Sequence, residues 1–222
     1  MKKTALLAAT AAMALSAGSA FAATPGASTA GMHIYAHRFS TPSNLTTLYS
    51  QNSNDSGVGL VSDMFGTSFP TYTDQGADDF VVPTGSTWKV KEVDVTGVYF
   101  NGAGPATSEN VYFYKNNKKN MPGKLVKSYA NVAGTDNGTG SFTIKLPSAA
   151  RLRAGTYWVS VQANIIFDTS GEWGWEINST QHGNQAMWQN PGGGFAVCPT
   201  WGTTESCLGY GPDFMFVLKG KG

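Results

Sequence analysis

Charge is scarce in this chain. Lys, Arg, Asp and Glu supply 13% of the residues, against roughly 25% in ordinary globular proteins. Lys115, Lys118 and Lys119 form the longest basic cluster, and the intervening Asn residues mark it as a solvated turn. Nucleic-acid partners, which need a clustered positive face, are therefore not expected. Long apolar runs are missing too. The longest, Ala5 to Leu15, is shorter than the roughly 20 residues that span a bilayer, so no transmembrane segment is expected. There are three His and two Cys, with no G-x-S-x-G elbow, no H-E-x-x-H helix and no EF-hand loop. Nucleophilic and zinc-hydrolase chemistry thus have no visible basis.

What the chain does have begins at its start. Lys2 and Lys3 precede the Ala5–Leu15 run, and Ala20-Phe21-Ala22 follows it. Charge, short apolar stretch and small residues in that order form a cleavable secretory signal over residues 1–22. The expected location is secreted or periplasmic. Cleavage removes two basic residues and no acid, so 15 basic and 14 acidic become 13 and 14, close to neutrality. In an oxidising compartment Cys198 and Cys207 are expected to pair, closing a short loop around Trp201.

Residues 23–46 read as an irregular leader, and residues 47–222 as one β domain. The run Trp88 to Phe100 alternates, but Trp88 and Val90 share one parity while Val93 and Val95 share the other. A slip near Lys91 and Glu92 predicts a β-bulge or a strand that changes sheets. Val111 and Phe113 face one side, Tyr112 and Tyr114 the other. Phe142, Ile144 and Leu146 form a buried set. Tyr157, Val159, Val161 and Ala163 should face the core, opposite Trp158, Ser160 and Gln162. No segment after the signal keeps a 3.6-residue apolar period. The expected class is all-β: a two-sheet antiparallel β-sandwich with jelly-roll connections.

Ala77-Asp-Asp-Phe80, Gly97-Val-Tyr-Phe100, Val111-Tyr-Phe-Tyr114, Ala154-Gly-Thr-Tyr-Trp158 and Trp188-Gln-Asn-Pro-Gly-Gly-Gly194 carry a resemblance. Together they resemble secreted bacterial β-sandwich modules that occur alone or appended to extracellular enzymes such as peptidases. The chain is also broadly similar to carbohydrate-binding modules. These likenesses imply a jelly-roll fold and an extracellular location.

The segment Phe167 to Tyr210 holds Trp173, Trp175, Trp188 and Trp201 among many glycines. Aromatic faces suit sugar rings, and amides such as Asn178 and Gln189 suit hydroxyls, so these six residues are the candidate ligand contacts. The competing reading is that the indoles fill the core. Trp173 and Trp175 share a strand face, so both are buried or both displayed. Glu172 and Glu176 invite a glycosidase reading, but four residues along a strand are about 13 Å apart, beyond the roughly 5–9.5 Å such pairs need. No cofactor is expected; calcium on Asp78 and Asp79, helped by Asp136 or Asp168, is the alternative. His33, His37 and His182 are the weak metal option.

The expected function is a non-catalytic extracellular binding module for a polysaccharide or cell-surface glycan. A structural or adhesion protein meeting envelope or matrix proteins is the second class. A secreted glycoside hydrolase or peptidase using Glu172 or Glu176 is the third.

Overall fold

The computed structural model describes residues 45–222. The expected signal, nearly all of the leader, and His33 and His37 lie outside them. In chain order the first strands are β1 (Thr46–Gln51), β2 (Asp55–Val61), β3 (Asp63–Met64), β4 (Gln75–Val95) and β5 (Gly97–Phe100). Next come β6 (Ser108–Asn116), β7 (Pro122–Val132), β8 (Thr135–Asp136) and β9 (Phe142–Asn164). The last are β10 (Glu172–Asn178), β11 (Met187–Gln189), β12 (Gly202–Thr203), β13 (Asp213–Phe214) and β14 (Phe216–Lys221). Two short helices, α1 (Phe167–Ser170) and α2 (Thr204–Leu208), and a 3-10 turn at Pro70–Tyr72 complete the described elements.

The larger sheet is ordered β1-β14-β4-β9-β6-β7, with β11 joined to β4 and β12 to β11. In the smaller sheet β10 is central, flanked by β2 on one side and by β5 and β13 on the other. Among the described residues all pairings are antiparallel except a short parallel one between β3 and β9. The expected all-β, two-sheet arrangement is what the chain adopts. Its first strand opens at Thr46, one residue before the anticipated domain start.

The irregular run Trp88–Val95 supplies a bulge. The β4–β9 register slips between Val90 and Glu92, and β14 is irregular at the same level. The extra residue restores the apolar parity, so Trp88, Val90, Val93 and Val95 are all buried. A change of sheets occurs just beyond, at Thr96. There Glu176 N donates to Thr96 O (2.9 Å) and Thr96 N to Met215 O (3.2 Å). Met215 is the matching corner between β13, in the small sheet, and β14, in the large one.

The core lies between the sheets. Phe80 of β4 is its hub, with ring centroids 6.1 Å from Trp88, 6.0 Å from Tyr157 and 6.3 Å from Phe113. Val111, Ile144, Val159 and Val161 close around it. Burying each such side chain is worth about 1.5–3 kcal/mol.

Candidate functional site

The tryptophans divide sharply. Trp173, Trp175 and Trp188 have no accessible surface at all (0%). Trp173 and Trp175 leave β10 on its inner face, and Trp175 stacks on Phe214 at 4.6 Å with planes 14° apart. Each indole N–H has a carbonyl acceptor: Trp173 Nε1 donates to Gly140 O (2.7 Å), Trp175 Nε1 to Met215 O (2.8 Å) and Trp188 Nε1 to Val61 O (2.9 Å). Gly97 makes room for the first, since a Cβ there would overlap the Trp173 indole nitrogen. Asn178 is also fully buried, its Nδ2 donating to Gln51 O (3.2 Å). The expectation that these four residues contact a ligand is therefore corrected: a side chain with both faces packed and its donor satisfied has nothing to offer a sugar.

Trp201 and Gln189 remain at the surface, both half-buried. They sit on the outer face of the larger sheet, the face opposite the core. Two residues not expected as contacts join them there. Tyr112 and Tyr114, two apart on β6, stack with ring centroids 6.1 Å apart and planes 24° apart. Trp201 meets Tyr114 edge-to-face at 5.9 Å. Their strand parity was legible; their use was not, because Trp201 arrives from almost ninety residues away.

Amides flank this aromatic row. Gln75 Nε2 donates to the Tyr114 hydroxyl (3.0 Å), and Gln189 Nε2 donates to Gln75 Oε1 (3.0 Å). Trp158 lies beneath, fully buried, its Nε1 donating to Asn116 Oδ1 (2.8 Å). A second small core of Ala77, Trp158 and Met187 thus forms on the outer face, with Tyr114, Met121 and Trp201 packed against it.

The disulfide sets the position of Trp201. Cys198 and Cys207 pair with Cα atoms 5.7 Å apart. Gly202 passes directly against it, since a Cβ there would lie 2.8 Å from Cys207 Sγ and 3.0 Å from Cys198 Sγ. Thr203 caps α2, its Oγ1 accepting from Ser206 N (3.2 Å). Together the bridge, the close approach and the cap hold the indole over Tyr114.

The carboxyls have other work. Asp78 Oδ2 accepts from Gln51 Nε2 (2.7 Å) and Phe214 N (2.6 Å), and its Oδ1 from Asp79 N (2.7 Å). Asp79 accepts from Asn184 N (3.0 Å) and Asn184 Nδ2 (2.7 Å). Asp136, offered as a calcium partner, accepts from Tyr99, Gly138 and Gly140 instead. His182 donates its backbone N–H to Asp213, and its Nδ1 stands 3.7 Å from the same carboxyl. Burial pushes Asp78, Asp79 and Asp213 upward, Asp213 to about 7. These bonds tie the segment 179–186 to β4 and β13. Among the described residues no group of three or more His, Cys, Asp or Glu is arranged to hold a metal ion.

Glu172 and Glu176 have different surroundings. Glu172 accepts from Asn101 and lines a cavity, whereas Glu176 neighbours Asp55 of β2. Burial first, then Asp55, raises the Glu176 carboxyl. No helix among the described residues is long and apolar enough to cross a membrane. No family model, no curated protein and no solved structure matches the chain.

Proposed function

We propose that this domain is a non-catalytic extracellular recognition module for glycans or cell-surface polymers, and that its contact face is the Tyr112–Tyr114–Trp201 row. The observation that carries this reading is a row of three half-buried rings, Tyr112 on Tyr114 and Tyr114 on Trp201, with the half-buried Gln189 beside them, tied to Tyr114 through the buried Gln75. Ring faces complement the C–H faces of sugars, and the Gln189 amide complements hydroxyls without requiring charge. The export signal and the paired cysteines, which fit a secreted or periplasmic protein, support it.

A glycan array probed with the protein lacking residues 1–22 tests the reading. Binding should survive high salt, because stacking and neutral hydrogen bonds are weakly screened. Trp201→Ala and Tyr114→Ala should each weaken it by about tenfold or more. An empty array, or binding that both substitutions leave intact, overturns it.

The internal position of Trp173, Trp175 and Trp188 favours a second reading, an envelope or matrix adhesion protein that meets other proteins through loops and sheet edges. That reading expects binding to isolated envelopes that Trp201→Ala does not change.

A further inference from the structure

A second concave site lies apart from the aromatic row. Phe65, Phe69, Tyr72, Phe167, Glu172 and Phe195 line a cavity of about 260 Å³. Three separate stretches of chain converge on it: the segment after β3, the α1–β10 corner, and the loop after β11. The rings hold one another edge-to-face. Phe167 meets Phe69 at 5.4 Å and Phe65 at 6.1 Å, and Tyr72 meets Phe195 at 5.3 Å. Trp188 backs Phe195 at 5.7 Å, so the fully buried indole anchors one wall. Tyr72 and Phe167 are exposed at the rim.

The chemistry of this lining is one-sided. Glu172 is its only ionisable group apart from the Tyr72 phenol, and no Lys, Arg or His is among the lining residues. Behind it lie two more carboxyls. Asp63 Oδ2 accepts from Trp173 N (3.0 Å) and Asp74 Oδ1 from Asp63 N (3.2 Å), while the buried Asp63 Oδ1 has no hydrogen-bond partner. Both sit near enough to Glu172 to feel its charge. Burial raises Asp63 and Asp74 well above the ordinary carboxyl range, so the charge at this end of the domain is that of Glu172, which no cation in the lining balances.

Five aromatic rings and one carboxylate around a small cavity form an environment that attracts a bulky, weakly hydrated cation. The ring quadrupoles present negative faces, and the carboxylate supplies the full charge. A neutral apolar guest would leave Glu172, whose partner is the uncharged Asn101 amide, without a counter-ion. An inorganic cation would lose water to rings that cannot replace it. The volume falls just below the roughly 300–1,000 Å³ of sites for drug-sized ligands, which fits a single headgroup.

From this geometry we infer that the cavity is a binding site for an organic ammonium, with the aromatic rings enclosing its alkyl groups and Glu172 as counter-ion. Choline is the probe, with 3,3-dimethyl-1-butanol as its uncharged counterpart of similar shape. Titrations followed by NMR or calorimetry should show saturable choline binding and at least about tenfold weaker binding of the alcohol. Glu172→Gln should weaken choline by about tenfold, and Phe167→Leu by several-fold, with unchanged melting curves to exclude misfolding. Trp201→Ala should leave choline binding intact, which separates this site from the glycan face. Phosphatidylcholine vesicles distinguish the source. Sedimentation with vesicles that free choline reverses assigns a lipid headgroup, and choline binding without sedimentation assigns a soluble ammonium compound. Equal affinity for choline and the alcohol overturns the inference. So does an absence of saturable choline binding up to about 50 mM, weaker than any useful millimolar site.

Discussion

Trp173 and Trp201 are the same residue in opposite situations, on two faces of one sandwich. Trp173 is enclosed between the sheets, with its N–H spent on Gly140 O. Trp201 lies on the outer face of the larger sheet, held by a disulfide and touching Tyr114 by an edge. The first indole contributes to stability through the water it excludes. The second is fixed in place by neighbours that leave it partly open. Aromatic richness in a segment therefore does not identify a binding face; what matters is which layer each ring belongs to.

Substitution should separate the two faces. Trp173→Ala should cost about 3–5 kcal/mol, because it empties a packed site and orphans the Gly140 carbonyl. Denaturant unfolding measures this, and a loss below about 1 kcal/mol would contradict the burial of that indole.

Acidity tests the interior collectively. Burial raises Asp63, Asp74, Asp78 and Asp79, and raises Glu109 and Asp213 to about 7. The unfolded chain releases these protons near the ordinary carboxyl range, while the folded chain keeps them. Folded protein thus binds more protons between about pH 4 and about pH 7, and stability should fall as pH rises through that window. Melting temperatures measured at both ends check the sign. Glu109→Gln should flatten the slope at its upper end.

Opening the bridge with Cys198→Ser and Cys207→Ser together should lose about 2–3 kcal/mol, by the loop-closure argument for a short ring. It should also raise the mobility of Trp201 while leaving Trp173 unchanged, which residue-resolved indole NMR can report. The smallest stability effect belongs to Trp201→Phe, expected within about 0.5 kcal/mol. Iodide quenching should nonetheless collapse with it, because Trp88, Trp158, Trp173, Trp175 and Trp188 are buried. A quenchable fraction that survives would mean that a second indole reaches solvent.

Much of this layering was legible in the sequence where a period of two met a strong apolar contrast. Val111 with Phe113, and Val159 with Val161, sit on the inner face as their alternation requires. The slip at Lys91 marked a real bulge. Trp173 and Trp175 had to share a fate, but their spacing could not say which fate. That depended on Phe214 and Met215, some forty residues later. For the same reason Trp158 and Gln162 are buried although they lie on the outer face: Trp158 packs with Met187 and Trp201, and Gln162 Nε2 donates to Asp63 O and Asp74 O. The ammonium cavity escaped notice because its lining is divided among three distant stretches, none of them distinctive alone. Strand order was hidden for a similar reason: periodicity gives each strand its sides but not its neighbours.

The pairing of the first and last strands has a mechanical consequence. Thr46 lies opposite Gly220, so chain continuing from either end departs from the same corner of the domain. Tension between those ends would unzip the β1–β14 ladder one bond at a time instead of shearing its rungs together. The domain can thus be tethered at both ends without being stretched across its width, but it should yield to modest pulling forces from that corner.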